Sequence, residues 1–317
     1  MTIALARGPV MLGVAGTELS TEDRERLAHP LVGGVILFAH NYTDKQQLRA
    51  LTGAIHALRA PMLPIAVDHE GGRIQRFRDG FTEIPAMRTL GERWDRDVAG
   101  ASAEAERLGR TIATELKDVG VDFSFAPVLD LDYGSSTVIG RRAFHRSPNA
   151  AAHLAASLRR GLNAGGLPAV GKHFPGHGHV AADSHTEIPV DDRPMSAIAA
   201  DDLVPFAALV RAGLEAVMPA HVIYPQVDDR PAGYSRIWLH DVLRGRLGFD
   251  GAIVSDDLGM AGACGAGDIV ARARASIDAG CDIVLTCTDP AAADALLSSG
   301  SPPAGPDLAR RWARLVR

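Results

Sequence analysis

The segment from Leu167 to His179 reads LPAVGKHFPGHGH, and it changes character at Lys172. The apolar residues before Lys172 predict a short buried strand. The glycine- and histidine-rich residues after it predict a polar loop that continues to His185. Loops that a rigid scaffold carries often hold binding and catalytic residues. We therefore expect residues 173–185, hereafter the histidine loop, to form part of a functional site.

The same change from apolar to polar residues recurs along the whole chain, alternating with alanine- and leucine-rich helical stretches. The runs that predict strands are Val10–Val14, Gly34–Phe38, Leu63–Val67, Asp122–Ala126, Ala169–Lys172, Ala216–Met218, Ala252–Ser255 and Asp282–Thr286. A closed parallel α/β barrel requires this number of strands, and its strands are apolar on both faces. The pattern predicts the α/β class and a single (β/α)8 TIM-type barrel, regular or irregular. An open doubly wound sheet is the alternative that strand runs alone do not exclude.

Helices are predicted between these strands by apolar residues at three- and four-residue spacing and by glycine stop signals. One begins near Thr21, and the others are Thr43–Ala60, Ala99–Val119, Asn149–Ala164, Asp201–Ala212, Ile237–Leu247, Asp268–Ala279 and Pro290–Leu297. Four arginines near the end of the chain, Arg310, Arg311, Arg314 and Arg317, predict a solvated final helix. Because the alternation has no interruption, we expect one domain over residues 1–317.

The composition is that of an ordinary soluble globular protein, with 317 residues, 46% hydrophobic and 22% charged. A net charge of −5 and a pI near 6.2 favour neither nucleic acid nor an anionic membrane as a partner. The first residues lack the features of a signal peptide, and no apolar run is long enough to span a bilayer. Three cysteines, Cys264, Cys281 and Cys287, predict free thiols in a reducing compartment. The expected location is the cytoplasm.

Polar residues follow many of the predicted strands, and in a barrel they would gather on one face. Asp256 ends the run Ala252–Val254, where a carboxylate can be directed into a pocket while its neighbours stay packed. The alternative is that Asp256 or Asp257 caps the next helix. Asp183 and His185 lie two residues apart, and an aspartate beside an imidazole makes a general acid/base that works near neutral pH.

A second group of strand-end residues supplies several hydrogen-bond donors and one carboxylate acceptor: Asp68, Arg76, Arg142, Lys172 and His173. A pocket for a hydroxyl-rich ligand such as a sugar needs these groups, because each buried hydroxyl must find a partner. Each arginine taken alone could equally form a structural ion pair.

The same residues allow three other interpretations. Gly166–Lys172 has the spacing of a phosphate-binding loop, but His173 replaces the Ser/Thr that would hold magnesium. A zinc or iron hydrolase is the stronger rival, with its ligands drawn from His173, His177, His179, Asp183 and His185. A sugar-binding module without catalytic activity is the non-enzymatic rival.

Several motifs resemble those of family three glycoside hydrolases of the β-N-acetylglucosaminidase type. These are KHFPGHG at 172–178 with ADSH at 182–185, VDHEGGR at 67–73, VIGRR at 138–142, VMPAHVIY at 217–224 and VSDDL at 254–258. The resemblance implies a (β/α)-barrel enzyme that removes terminal β-linked N-acetylglucosamine with retention of configuration. It places the nucleophile at Asp256, the acid/base at His185 with Asp183 as its partner, and sugar contacts at Asp68, Arg76, Arg142, Lys172 and His173.

The chain is short for this family. In its length it resembles the bacterial cytoplasmic members, which have a single domain. That resemblance implies a monomer without metal or other cofactor, acting on N-acetylglucosaminyl-1,6-anhydro-N-acetylmuramic acid, with or without peptide. It also implies a role in cell-wall recycling, and through it in cell shape and division. Two positions depart from the family pattern, His69 (commonly glutamine) and His40 (commonly arginine or serine), and His40 could alter the rim of the sugar pocket. His177 and His179 receive no role.

Overall fold

The fold is a closed parallel barrel, seen in a computed structural model that describes residues 2–184 and 187–316. Its strands are β1 Val10–Gly13, β2 Val32–Leu37, β3 Ile65–Val67, β4 Phe123–Ser124, β5 Val170–Phe174, β6 Ala216–Pro219, β7 Ala252–Asp257 and β8 Ile283–Thr286. Each strand pairs in parallel with the next from β1 to β4 and from β5 to β8, and β8 pairs with β1. A parallel bridge between Ser124 and Ala169 closes the ring between β4 and β5. The TIM-type prediction is therefore confirmed, and the open doubly wound sheet is excluded.

A helix follows every barrel strand. In chain order these helices are Thr21–Leu27, Lys45–Leu58, Val98–Asp118, Pro148–Ala164, Leu203–Arg211, Ile237–Arg246 (a π-helix), Ile269–Ala279 and Pro290–Ser298. The second helix starts later than the predicted Thr43, because the Asp44 side chain accepts hydrogen bonds from the backbone of Gln46 and Gln47. Further helices are Arg88–Trp94, Met195–Ala200 and Leu308–Leu315, of which the first two were not predicted. Among the described residues, no helix is long and apolar enough to cross a membrane.

The final helix, Leu308–Leu315, is not solvated, so that prediction is wrong. Trp312 is fully buried and donates from Nε1 to the carbonyl of Gly8 at 3.0 Å. It packs in one apolar cluster with side chains from the barrel interior, such as Met11 and Ile36. Gly8 lies just before β1, so this helix covers the amino-terminal end of the barrel. Of its arginines, Arg310 is exposed and Arg311 is buried, and both pair with Asp250.

A short hairpin after β3 builds the opposite, carboxyl-terminal end of the barrel. His69–Gly71 pairs in antiparallel fashion with Ile74–Gln75. Its turn needs glycine, because Gly71 and Gly72 have φ of 106° and 58°. A Cβ on Gly72 would also lie 2.9 Å from the Cβ of Ala86. Two other short pairs lie outside the barrel, Ile3–Ala4 with Arg59–Ala60 and Ile223–Tyr224 with Asp228–Pro231.

Candidate active site

A cavity of about 390 Å³ opens at the carboxyl-terminal ends of the barrel strands. The predicted site residues that line it are Asp68, Arg76, Arg142, Lys172, His173, Asp183 and Asp256. These residues come from β5, β7 and the segments after β3, β4 and β5, so the barrel brings together side chains that are far apart in sequence. The remaining predicted site residue, His185, lies outside the described residues.

The wall formed by β3 and β5 carries a row of alternating charges. The Lys172 ammonium lies 2.6 Å from Asp68 Oδ1 and 2.6 Å from Glu70 Oε1. Both oxygens of Glu70 accept from the Arg142 guanidinium, Oε2 from Nε and Oε1 from Nη2, each at 2.8 Å. Arg76 approaches Asp68 at 3.5 Å. We call Arg76, Asp68, Lys172, Glu70 and Arg142 the charge row.

Exposure differs along the charge row. The side chains of Lys172 and Glu70 are 4% and 3% exposed, whereas those of Asp68 and Arg76 are 20% and 30% exposed. An ammonium has three N–H donors, so Lys172 retains one after serving two carboxylates. A ligand in the cavity can therefore reach Asp68, Arg76 and one proton of Lys172, while Glu70 is enclosed by its partners.

The charges of the row stabilise one another. Burial alone would raise the pKa of the Glu70 carboxyl, but the adjacent charges of Arg142 and Lys172 hold that pKa far below its usual range. Burial opposes the charge of Lys172 too, yet Asp68 and Glu70 raise the pKa of its ammonium. The pKa of Asp68 is lowered, because Lys172 and Arg76 outweigh its burial and the charge of Glu70. All of these groups are charged at neutral pH.

Asp130 fixes the position of His173. One oxygen of this buried carboxylate, Oδ2, lies 2.6 Å from His173 Nδ1. The other, Oδ1, accepts from the backbone N–H groups of His173 at 3.2 Å and of His177 at 2.7 Å. Burial opposes its charge, but His173 and His177 lower the pKa of Asp130 to about 2. A carboxylate that accepts from Nδ1–H leaves Nε2 of His173 for a ligand.

The two carboxylates that end β7 have different surroundings. Asp257 Oδ1 accepts from the backbone N–H of Gly259 at 3.0 Å and of Cys287 at 3.2 Å, which ties the loop after β7 to the loop after β8. Asp256 accepts from the N–H of Asp257 at 2.8 Å, and both residues line the cavity. Neither residue caps a helix: Met260 precedes the 3-10 helix Ala261–Ala266 without a side-chain cap, and Asp268 caps the helix Ile269–Ala279 by accepting from Ala271. The helix-cap alternative is therefore wrong.

The described part of the histidine loop places Asp183 and Ser184 on the cavity wall. His177, which had no predicted role, also lines the cavity, and its Nε2 lies 3.1 Å from Ser184 Oγ. Burial lowers the pKa of His177. His179 lies farther out, with its ring edge-on to Tyr133 at a centroid distance of 5.0 Å.

Two residues that support the site, Glu70 and Asp130, were not among the predicted site residues. Both lie in strand-end motifs, DHEGG and VLDLD, that the sequence displays. The sequence does not show which carboxylates in such motifs contact a ligand and which position the side chains that contact it. His40 does not line the cavity that holds the charge row; it stacks on Phe38, which does, with the ring centroids 5.8 Å apart.

His69 is buried beside Phe77 and Phe81, outside the cavity. Within the described residues its Nδ1 has no hydrogen-bond partner. Burial, aided by the charge of Arg78, lowers the pKa of this imidazole from 6.5 to about 4. The unfolded chain therefore binds more protons than the folded protein between these two pH values. The neutral His69 therefore makes its full contribution to the free energy of unfolding above pH 6.5, and this contribution is lost as the pH falls toward 4.

We expect His69→Gln to remove this part of the pH dependence. The free energy of unfolding of the wild type should fall, relative to the variant, by about 3 kcal/mol across that interval. Denaturant titrations at a series of pH values measure the difference, with the exposed His240→Gln as a control. Superimposable pH profiles of wild type and His69→Gln would contradict the assignment.

Comparison with known proteins identifies the family. The model described as the glycosyl hydrolase family 3 N terminal domain matches residues 9–316. A β-hexosaminidase of Chromobacterium violaceum is 58% identical over 312 residues, covering 98% of this chain and 87% of that protein. The chain therefore belongs to glycosyl hydrolase family 3. It is a glycoside hydrolase of the β-hexosaminidase type, so the resemblance seen in the motifs is confirmed and the non-enzymatic rival is excluded.

Solved structures agree with this assignment. NagZ from Neisseria gonorrhoeae in complex with N-trifluoroacetyl-D-glucosamine superimposes with a TM-score of 0.96 at 53% identity, covering 100% of this chain and 92% of that one. NagZ from the same organism in complex with a zinc ion gives a TM-score of 0.94 at 50% identity, with coverage of 100% and 92%. The first of these neisserial structures contains a glucosamine derivative, and the second contains a metal.

Proposed function

We propose that this enzyme is a retaining exo-β-N-acetylglucosaminidase. In this proposal it removes terminal non-reducing β-1,4-linked N-acetylglucosamine from peptidoglycan fragments that carry 1,6-anhydro-N-acetylmuramic acid, with or without peptide. The observation that carries the proposal is that one cavity holds both the charge row and Asp256. Its volume of about 390 Å³ lies toward the small end of the range for small-molecule sites, which suits one sugar residue at a time.

The charge row and His173 bind the sugar. Asp68 accepts hydrogen bonds from hydroxyl groups, because its carboxylate is the exposed acceptor of the row. Arg76, Arg142 and the third proton of Lys172 donate to sugar oxygens. Nε2 of His173 accepts from a sugar hydroxyl when the ring is neutral and donates when the ring carries a second proton. Most of these side chains are held by partners before a ligand arrives, so little side-chain entropy remains to be lost on binding.

Asp256 is the nucleophile in this mechanism. Its carboxylate attacks the anomeric carbon as the bond to the departing oxygen breaks, which gives a covalent glycosyl-aspartate. His185 donates its proton to the departing oxygen, and Asp183 orients its imidazole. The neutral imidazole then takes a proton from water, which attacks the anomeric carbon and releases Asp256. Two displacements retain the configuration, and the histidine takes the place of the second carboxylate of the usual scheme.

We propose that residues 1–317 act as a single catalytic domain, as a monomer, in cytoplasmic cell-wall recycling. The three free cysteines support a reducing compartment. The proposed chemistry uses protein side chains and needs no metal ion.

The test is hydrolysis of an aryl N-acetyl-β-glucosaminide before and after exhaustive treatment with a chelator. We expect the same rate in both cases, together with release of N-acetylglucosamine from the anhydromuramic disaccharide. Loss of activity on chelation and its return with zinc would overturn the metal-free mechanism and favour the metallohydrolase alternative. Activity on internal linkages but not on terminal residues would overturn the exo assignment.

A further inference from the structure

Ser184 is held on two sides although it lies in a loop. On one side its Oγ lies 3.1 Å from Nε2 of His177. On the other side its carbonyl accepts from the backbone N–H of Gly262 at 2.9 Å. Gly262 belongs to the 3-10 helix Ala261–Ala266, which follows the strand that ends in Asp256 and Asp257. Ser184 therefore connects the histidine loop to the segment that follows the proposed nucleophile.

His177 is a rigid anchor for this connection. His177 is 2% exposed, and its backbone N–H donates to Asp130 Oδ1 at 2.7 Å. The same carboxylate holds His173 at the end of β5. His177 is thus fixed to the barrel through Asp130, and its imidazole reaches across the base of the loop to Ser184.

The position of Ser184 in the sequence gives this contact its significance. Ser184 lies between Asp183 and His185, the pair proposed as acid/base and partner. Asp183, Ser184 and His177 all line the cavity that contains Asp256. A shift of Ser184 would move both neighbours, because they are joined to it by peptide bonds.

We propose that His177 and Ser184 are positioning residues that fix the peptide segment carrying the acid/base pair when the glycosidic bond breaks. The inference rests on the proposed roles of Asp183 and His185. It gives the first histidine of the GHGH sequence a function that is distinct from sugar binding. Neither residue gains or loses a proton in this role; each acts by fixing the position of the loop.

The expected effect is a selective loss of acid catalysis. Loss of a single hydrogen bond changes a two-state loop equilibrium by up to about tenfold. Protonation of the departing oxygen matters most when the leaving group is poor, because a stabilised phenolate departs with little help. We therefore expect Ser184→Ala to lower kcat/KM about tenfold for a methyl glycoside. The loss for a nitrophenyl glycoside should be no more than about threefold, with little change in KM.

His177 allows a matched pair of substitutions. His177→Gln keeps a nitrogen near the position of Nε2 and should retain most of the activity on the methyl glycoside. His177→Leu removes the hydrogen bond at similar volume and should behave like Ser184→Ala. The double variant that combines His177→Leu with Ser184→Ala should be no worse than either single variant, because both changes remove the same contact. Thermal unfolding of each variant verifies that the fold persists.

Ser135→Ala is the control within the same region. Its Oγ also binds the histidine loop, donating to the carbonyl of His179 at 2.7 Å, at a residue that precedes Asp183 by four positions. It should leave the ratio of the two rates unchanged. Equal losses on both substrates for Ser184→Ala, or additive losses in the double variant, would overturn the inference. Failure of the wild type to hydrolyse either glycoside would instead overturn the proposed function.

Discussion

Replacing Asp256 with alanine should lower kcat for an aryl N-acetyl-β-glucosaminide by about 10⁴- to 10⁶-fold, the range seen when a catalytic nucleophile or its partner is removed. The physical reason is that no covalent intermediate can form without this carboxylate. KM should change much less, because the charge row that binds the sugar is untouched. Steady-state kinetics on the purified variant, with a circular dichroism check of folding, measures both quantities.

The vacated space offers a sharper test of the nucleophile. Azide can enter the space left by the carboxylate and attack the anomeric carbon from the same face, displacing the aryl alcohol. The product would be an α-glycosyl azide, whose configuration is opposite to that of the wild-type product. Recovery of activity with azide and this stereochemistry would identify Asp256 as the nucleophile.

Asp257 supplies the matched control. Asp257→Asn keeps an oxygen that can accept from the N–H groups of Gly259 and Cys287, so the loop contacts should survive. We expect its kcat to stay within about tenfold of the wild type. If Asp257→Asn were as inactive as Asp256→Ala, or if azide restored Asp257→Ala and not Asp256→Ala, the two carboxylates would have to exchange roles.

The sequence predicted the barrel well because its strands are short apolar runs with a sharp polar end. Each predicted strand overlaps an observed one, and the strand ends placed Asp68, Lys172 and Asp256 at one face. The final helix was misjudged for a physical reason. Its arginines dominate the composition, but Leu308, Trp312 and Leu315 recur at four- and three-residue spacing and form a buried face.

The supporting carboxylates were missed because their partners are remote in sequence. Glu70 and Arg142 are 72 positions apart, and Asp130 and His173 are 43 positions apart. A motif shows that a carboxylate lies at the end of a strand. Which cationic side chain it pairs with depends on distances that only the closed barrel defines. The hydrogen bonds of Glu70 and Asp130 go to other protein groups, so the chemistry expected of a sugar pocket does not reveal them.

Glu70 provides the second large expected effect, on stability and on binding together. Glu70→Ala would leave the buried charges of Lys172 and Arg142 without the carboxylate between them. Breaking a buried ion pair by removing one partner costs about 3–5 kcal/mol of stability. We expect a loss of this size in the free energy of unfolding at neutral pH, measured by denaturant titration.

The same substitution should weaken the sugar site, because Lys172 and Arg142 would then repel each other and leave their positions. KM for a nitrophenyl N-acetyl-β-glucosaminide should rise at least about tenfold, the equivalent of about 1.4 kcal/mol. Glu70→Gln keeps the shape and one acceptor oxygen, so its losses should be smaller. Glu104→Ala, which breaks the exposed pair with Arg107, is the control and should change stability by no more than about 0.5 kcal/mol.

The two readouts separate the roles of Glu70. A stable Glu70→Ala with raised KM would mean that the carboxylate orients the sugar contacts without stabilising the fold. A destabilised variant with normal KM would mean that Lys172 and Arg142 keep their positions without it, through Asp68 and the backbone carbonyl of Val138. Either result would contradict the view that the charge row is one structure in which Glu70 is the central link. Loss of both properties in Glu70→Ala, and partial recovery of both in Glu70→Gln, is the outcome that its geometry predicts.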